Sequence, residues 1–295
     1  MNGVLVIDKP AGPTSHDVVA RVRRVLGTRR IGHTGTLDPL ATGVLPLVIG
    51  TATRLASLLS AGEKEYVAAI RLGLATETYD ACGRESVPAP PFGISIREVD
   101  AAFESFRGTF AQAPPPYSAK KIDGVRAYTL ARKRTPVQPA SARVTVHHLA
   151  VEHYMDGLVT VRVRASAGFY VRSLAHDLGQ KLGCGAHLES LRRVGAGAFT
   201  EQDAVMLSTF ETEGAQGGRW ILPLEQLLVD IPAVALNERE SERARHGGDV
   251  RCEDARGPGI GAATSRRRLF DATGRLVAIG ELRPGDVLHP VIVLV

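Results

Sequence analysis

Two short and almost entirely apolar runs near the start of the chain constrain the fold most strongly. They are GVLVI at residues 3–7 and VLPLVI at residues 44–49. Continuous apolar runs of this length, bounded by turn-forming residues, are typical of strands buried in a sheet. Between them, valines recur over residues 18–25 at helical spacing, with Ser15 as the expected N-cap and Gly27 as the stop. Strands and helices alternate, so the sequence predicts a mixed α/β fold.

The rest of the chain continues this alternation. Helical spacing predicts helices, and alternation of apolar and polar residues predicts strands. An Asp-Gly pair at residues 156–157 predicts a tight turn between two of the strands. The predicted helices lie at about 52–60, 95–106 and 168–183, and the predicted strands at 64–74, 143–151 and 157–165.

Composition indicates a protein of a reducing compartment with an anionic partner. The 295 residues carry a formal net charge of +5, with three cysteines. The cysteines are scattered and lack metal-ligand spacing, which argues against a disulfide framework or a zinc site. The N-terminus does not resemble a signal peptide, and no apolar stretch is long enough to span a membrane. We therefore expect cytoplasmic localisation and no membrane association.

Residues 114–143 form a distinct basic segment. It contains seven Lys or Arg residues and one Asp, with tyrosines among them and prolines at both ends. Aromatic rings stack on unpaired bases and cations bind phosphates, so this composition favours single-stranded RNA over the alternative of a solvated linker. Five arginines in residues 17–30 form a second candidate anion-binding face.

The loop GHTGTLDPLATGVLPL at residues 32–47 contains the most unusual residue mix. A carboxylate such as Asp38 can serve as a nucleophile or a base, provided that a cation keeps it ionised in a dry pocket. Asp-Pro is also a common turn former. The residues alone favour the turn former slightly and leave both interpretations open.

The sequence lacks the motifs of several other kinds of active site. The chain has no Gly-Lys-Ser/Thr step of a phosphate-binding loop, no H-E-x-x-H and no G-x-S-x-G. His147 and His153 lie near one predicted strand, where a surface pair is a better interpretation than a metal site. We expect no bound metal.

Taken together, five segments resemble the bacterial TruB family of tRNA pseudouridine synthases. The resemblance implies an α+β pseudouridine-synthase fold, with a mostly antiparallel central sheet flanked by helices. It further implies a catalytic domain at 1–230, with a tRNA-binding insertion at about 114–143, and a small PUA-like RNA-binding β domain at 231–295. The segments are VLVIDKPAGPTSHDVV, GHTGTLDPLATGVLPL, KEYVAAIRLG, YSAKKIDGVRAYTLAR and GFYVRSLAHDLGQKLGCGAHLESLRR.

The family isomerises uridine 55 in the T-loop of tRNA to pseudouridine, moving the glycosidic bond from N1 to C5 of the base. The resemblance therefore implies an isomerase that flips the nucleotide out of its stack. Because no redox change or external group is involved, it implies no cofactor. It also implies tRNA as the partner and a monomer with no obligate protein partner.

Catalytic roles follow from the same resemblance. Asp38 is the expected catalytic aspartate, acting at C1′ of the ribose, at C6 of the base or in glycal formation. Arg172 is expected to pair with Asp38 and to lower its pKa. Tyr66 is expected to stack on the target base and to be a candidate proton acceptor.

Binding roles complete the resemblance. His33 is expected to fill the space of the extruded base, and Tyr170 and Leu191 to complete the pocket. Lys120 and Lys121 are expected to bind tRNA phosphates, with an affinity that falls as salt rises. Core packing and helix capping remain alternatives for Tyr66, Tyr170, Leu191 and Arg172.

Two other functions compete with this one. An RNA-binding protein without catalysis would share the basic segments, but the set of Asp38, Tyr66 and Arg172 favours an enzyme. A nucleoside or glycoside hydrolase would share the chemistry at C1′. Such hydrolases usually need a second carboxylate, and the sequence shows none in a motif.

Overall fold

The computed structural model describes residues 1–87, 93–117, 121–122, 125–126, 140–251 and 265–294. In these residues, no helix is both long and apolar enough to cross a membrane. The helices described are α1 Ser15–Leu26, α2 Ala56–Ser60, α3 Ile96–Phe103, α4 Val171–Lys181, α5 Leu207–Glu213 and α6 Glu238–Arg245. The strands are β1 Gly3–Lys9, β2 Ile31–His33, β3 Thr42–Ile49, β4 Lys64–Leu72, β5 Ala75–Thr76, β6 Glu85–Val87, β7 Gly108–Gln112, β8 Lys121–Ile122, β9 Val125–Arg126, β10 Ala142–Met155, β11 Leu158–Ala165, β12 Ala186–Ala196, β13 Phe199–Thr200, β14 Val205–Met206, β15 Ile221–Leu222, β16 Ala233–Ala235, β17 Val250–Arg251, β18 Arg266–Phe270, β19 Leu276–Arg283 and β20 Val287–Val293.

A large mixed sheet forms the centre of the molecule. Among the described residues it has eleven strands, and its main path runs β14-β1-β3-β12-β4-β11-β10-β7. Three further strands lie off this path: β2 pairs with β3, β13 with β12 and β15 with β1. Within that part of the chain, β1–β14 and β3–β12 are the parallel pairs and the remaining pairs are antiparallel. The prediction of a mixed fold with a mostly antiparallel sheet is confirmed.

Strands β1 and β3 are buried on both faces, which explains their continuous apolar sequence. Leu5 pairs with Leu47 and faces the larger core, which includes apolar residues of α1, α3, α4 and α5. Val4 pairs with Val48 and faces a second core on the opposite side of the sheet. A strand between two apolar layers needs no polar face.

The C-terminal residues form a separate five-stranded sheet in the order β16-β18-β19-β20-β17. Leu276 and Ile279 of β19 pack into the second core beneath β1 and β3. The Arg54 guanidinium donates a hydrogen bond to the Val293 carbonyl oxygen at 2.5 Å. The second sheet is therefore packed directly against the first, while the proposed boundary at residue 230 stays a prediction.

Two local expectations need correction. The N-cap of α1 is Thr14, not Ser15: the Thr14 side chain accepts a hydrogen bond from the Asp17 backbone, and Asp17 reciprocates in a capping box. Ser15 is thereby the first helical residue, and its side chain is buried. The helix predicted at 52–60 is a 3₁₀ turn, Gly50–Leu55, followed by the short α2.

Gly43 allows β3 and β12 to lie very close together. Its φ is +98°, and a Cβ atom built on it would lie 2.2 Å from the Arg193 carbonyl oxygen. Gly43 and Arg193 are register partners in the parallel pair of β3 and β12. The close approach therefore depends on a residue without a side chain.

We predict that Gly43→Ala lowers the free energy of unfolding by about 2–3 kcal/mol or more, because strain at positive φ adds to a backbone clash. Gly12→Ala is the matched control: Gly12 has φ +105° but nothing within 4 Å of its Cβ position. That control should lose only about 1 kcal/mol. Urea unfolding of both variants measures the difference, and equal losses would contradict the proposed clash.

Candidate active site

A cavity of about 290 Å³ lies beside the loop that carries Asp38. Its walls come from residues 34–38, from strands β4 and β12, and from residues 166–172 at the start of α4. The structure brings five of the predicted site residues together here. The predicted residues that line the cavity are Asp38, Tyr66, Tyr170, Arg172 and Leu191.

Arg172 binds Asp38 directly. Its Nε atom lies 2.9 Å from Asp38 Oδ2, and only 7% of the Arg172 side chain is exposed, against 35% for Asp38. Arg172 Nη1 donates to the Thr78 carbonyl oxygen at 3.1 Å, and Nη2 donates to that of Tyr117 at 2.9 Å. The guanidinium is therefore fixed on several sides, and it orients a carboxylate that is open to the cavity.

Asp80 is a buried carboxylate that sequence reasoning missed. Its Oδ2 atom lies 3.6 Å from Arg172 Nη1. Its Oδ1 atom accepts hydrogen bonds from the Thr78 hydroxyl at 2.6 Å and the Cys82 backbone at 3.1 Å. In sequence it is an ordinary Asp in the turn-like segment TYDACGRE. No local signal marks it, because its partner Arg172 is distant in the chain.

The segment that holds Asp80 is fixed to the rest of the site by neighbouring elements. The Tyr79 ring stacks on the His176 ring of α4, with centroids 3.7 Å apart. The Leu188 backbone of β12 donates to the Tyr79 carbonyl oxygen and accepts from the Ala81 backbone. These contacts hold Asp80 against Arg172.

The loop of Asp38 is held by the chain's first motif, DKPAGPTS. Lys9 is fully buried, and its Nζ atom donates to the carbonyl oxygens of Ala41 at 2.7 Å and Pro39 at 3.3 Å. The Ser15 hydroxyl donates to the Leu37 carbonyl oxygen at 2.9 Å and accepts from the Leu37 backbone at 2.8 Å. Ser15 thus positions the residue before Asp38. Its hydroxyl is available for this because Thr14, not Ser15, caps α1.

Strand β7 positions the start of α4. The Gln112 amide donates to the Tyr170 carbonyl oxygen at 3.0 Å and accepts from the Tyr170 backbone at 2.8 Å. The Ser173 hydroxyl donates to the Ala113 carbonyl oxygen at 2.7 Å. These three bonds fix the backbone on both sides of Arg172.

Burial raises the pKa of the Asp38 carboxyl above its ordinary value, and the like charge of Asp80 adds to this rise. Arg172 and Lys9 act in the opposite direction without cancelling it. The prediction that Arg172 pairs with Asp38 and lowers its pKa is confirmed. The net shift of the Asp38 pKa is nevertheless upward, because desolvation outweighs the ion pair. Burial also lowers the pKa of Lys9 to about 8.

Of the remaining predicted residues, His33 is described and does not line the cavity. His33 ends β2, and its ring contacts that of His16 edge-to-face at 5.4 Å between centroids. Lys120 lies outside the described residues, and Lys121 is described only as backbone in β8. In the described ranges, no group of three or more His, Cys, Asp or Glu side chains is arranged to hold a metal ion.

Comparison with known protein families gives two matches that together cover most of the chain. Residues 23–171 match the model of the TruB family pseudouridylate synthase N-terminal domain. Residues 172–229 match the model of the tRNA pseudouridylate synthase B C-terminal domain. The first match ends one residue before Arg172, so the residues that form the cavity are distributed over both.

Curated relatives and solved structures agree with these matches. The tRNA pseudouridine synthase B of Solibacter usitatus is 42% identical over the full length of both chains. That of Thermobifida fusca is 42% identical, covering 99% of this chain and 98% of the relative. The crystal structure of a Cbf5-Nop10-Gar1 complex matches with a TM-score of 0.74 and 27% identity, over 99% of this chain and 85% of the matched chain. The chain belongs to the TruB family of pseudouridylate synthases, isomerases that convert uridine in RNA to pseudouridine.

Proposed function

We propose that this enzyme acts on uridine 55 in the T-loop of tRNA and that Asp38 is its catalytic aspartate. The observation that carries the proposal is the Asp38–Arg172 ion pair at the wall of a cavity that Tyr66 also lines. The named relatives are tRNA pseudouridine synthases, which supports tRNA as the RNA substrate.

The cavity has the size of a site for one nucleotide. Its volume of about 290 Å³ is near the lower end for small-molecule pockets, roughly 300 Å³. A base paired or stacked in a helix cannot reach Asp38 there, so the target nucleotide must be extruded, which costs a few kcal/mol. The unpaired bases of a hairpin loop lower that cost.

Asp38 supplies an oriented negative charge next to the glycosidic bond. Attack on C1′, addition to C6 and elimination to a glycal all use an ionised carboxylate at that position. Arg172 holds Asp38 Oδ2, so the rest of the carboxylate faces the substrate. We assign Tyr66 to stacking on the uracil ring and to proton removal, and Tyr170 and Leu191 to the walls of the pocket.

We propose that contacts with tRNA extend well beyond the cavity. Lys120, Lys121 and the arginines of residues 21–30 would bind phosphates, and His33 would support the loop after extrusion. The domain of residues 231–295 would add further RNA contacts. We propose that the protein acts as a cytoplasmic monomer without an obligate protein partner. Purified protein alone should then modify a T-arm stem-loop.

Asp38→Asn should bind the T-arm stem-loop normally and slow pseudouridine formation roughly 10³-fold or more, because the negative charge at the reacting bond is lost. Primer-extension stops after carbodiimide treatment measure the product, and filter binding measures RNA affinity. Asp100→Asn is the control, since Asp100 is an exposed partner of Arg107 outside the cavity. Full activity of Asp38→Asn would contradict the catalytic assignment. Wild-type binding without a T-loop stop would favour an RNA-binding protein.

Arg172→Lys should lower kcat by about 10²-fold with little change in RNA affinity, because a displaced catalytic group has effects of this order. The lysine keeps the charge but cannot reproduce a planar fork that contacts Asp38, Thr78 and Tyr117 together. Arg192→Lys is the matched control, since Arg192 also binds two carboxylates, Asp8 and Glu201. Normal turnover of Arg172→Lys would show that the fork is not needed.

A further inference from the structure

Tyr79 is held in a backbone conformation that bulky side chains rarely adopt. Its φ is +65°, in the left-handed region that favours glycine. Such strain persists only where the surrounding structure fixes it, and it is concentrated near functional sites. The residues on either side of Tyr79 both face Arg172 Nη1, which donates to the Thr78 carbonyl oxygen at 3.1 Å and lies 3.6 Å from Asp80 Oδ2. The strained residue is therefore the centre of the segment that binds the active-site guanidinium.

His176 holds the side chain of Tyr79. The two rings are stacked, with centroids 3.7 Å apart and planes 10° from parallel. Burial raises the pKa of Tyr79 and lowers that of His176, so both rings are uncharged at neutral pH. The Nδ1 atom of His176 is buried and has no hydrogen-bond partner within the described ranges. The imidazole therefore acts through its ring face rather than through a hydrogen bond at Nδ1.

Helix α4 binds residues 78–80 with two successive turns. Arg172 and His176 are four residues apart on α4, so their side chains lie on one face of the helix, one above the other. Arg172 contacts the residues before and after Tyr79, and His176 contacts Tyr79 itself. Loss of the ring stack would let the segment move relative to the helix that carries Arg172.

The backbone of the same segment is bound to other elements. The Leu188 backbone of β12 donates to the Tyr79 carbonyl oxygen at 3.0 Å, and the Thr76 hydroxyl of β5 donates to that of Asp80 at 2.8 Å. These bonds attach the segment to β12 and β5, whereas the ring stack and the Arg172 contacts attach it to α4. The distance between Asp80 and Arg172 therefore depends on both attachments.

We propose that His176 is a positioning residue for the isomerisation, because its stack on Tyr79 keeps Asp80 in place. Asp80 then holds Arg172, which orients the catalytic carboxylate of Asp38. This inference rests on the proposed function, in which Asp38 is the catalytic group. His176 does not line the cavity, so its effect must pass through other residues. Loss of the stack should slow the chemical step and leave RNA binding unchanged.

The first test is the single-turnover rate of His176 variants on a T-arm stem-loop. His176→Ala should slow pseudouridine formation by about tenfold or more with unchanged RNA affinity in filter binding, because small displacements of a catalytic group have effects of this order. His176→Phe should retain most of the wild-type rate, since it keeps a stacked ring without the two nitrogens. A wild-type rate in His176→Ala, or equal losses in the two variants, would overturn the proposal.

Phe106→Ala is the control that separates positioning from stability. Phe106 is a half-buried aromatic residue whose ring contacts those of Phe103 and Phe110, and it does not line the cavity. Its replacement removes aromatic packing elsewhere in the same domain and should leave the rate near wild type. A rate loss equal to that of His176→Ala would show that general destabilisation explains both variants and would overturn the proposal.

A double-mutant cycle tests whether the effect passes through Asp80. In the Asp80→Asn background, His176→Ala should slow the reaction by less than about threefold further, because changes that act on one contact are not additive. Fully additive losses would show that His176 acts independently of Asp80 and would contradict the proposed route.

Tyr79→Gly tests the same contact from the other ring and does not require a His176 variant to fold. Glycine adopts a φ of +65° without strain, so this variant loses the stack while its backbone strain is relieved. It should slow the reaction as His176→Ala does, whereas Tyr79→Phe, which keeps the ring, should not. A wild-type rate in Tyr79→Gly would overturn the proposal even if His176→Ala fails to fold. Wild-type protein that forms no pseudouridine in the T-loop would instead overturn the proposed function.

Discussion

The arrangement of the active site depends on the pairing of one buried guanidinium. Arg172 is almost fully enclosed, and a buried cation that loses its partner is strongly destabilising. Its neighbours Asp38 and Asp80 supply two carboxylates, and backbone carbonyl oxygens complete the fork. Because these partners come from separate segments of the chain, the ion pair joins the parts of the fold that form the cavity.

Motifs that look independent in sequence hold the two segments that carry Asp38 and Arg172. Lys9 and Ser15 hold the backbone on either side of Asp38, and Gln112 holds the backbone beside Arg172. Gly43 allows β12 to approach β3, which places Arg193 at the cavity. The pocket is thus built on the rigid central sheet, as the positioning of reacting groups requires.

The local sequence pattern predicts those strands and turns that depend mainly on burial or on neighbouring residues in the chain. The apolar runs of β1 and β3 indicate burial, and the Asp-Gly pair correctly predicts the turn between β10 and β11. Pattern does not reveal side chains whose roles depend on distant partners. Asp80 looks like a turn residue, and Ser15 looks like a cap until Thr14 is seen to fill that position. The net pKa shift of Asp38 depends on burial, which sequence does not measure.

The central claim is that Arg172 orients the Asp38 carboxylate correctly only while Asp80 also binds the Arg172 guanidinium. The most direct measurement is the single-turnover rate of Asp80→Asn on a T-arm stem-loop. Asp80 contacts Arg172 at Nη1, whereas Asp38 contacts it at Nε, and Asp80 is absent from the cavity wall. We predict a loss of about 10²-fold in rate with unchanged RNA affinity and an unchanged fold by circular dichroism. A wild-type rate in a folded Asp80→Asn protein would contradict the account.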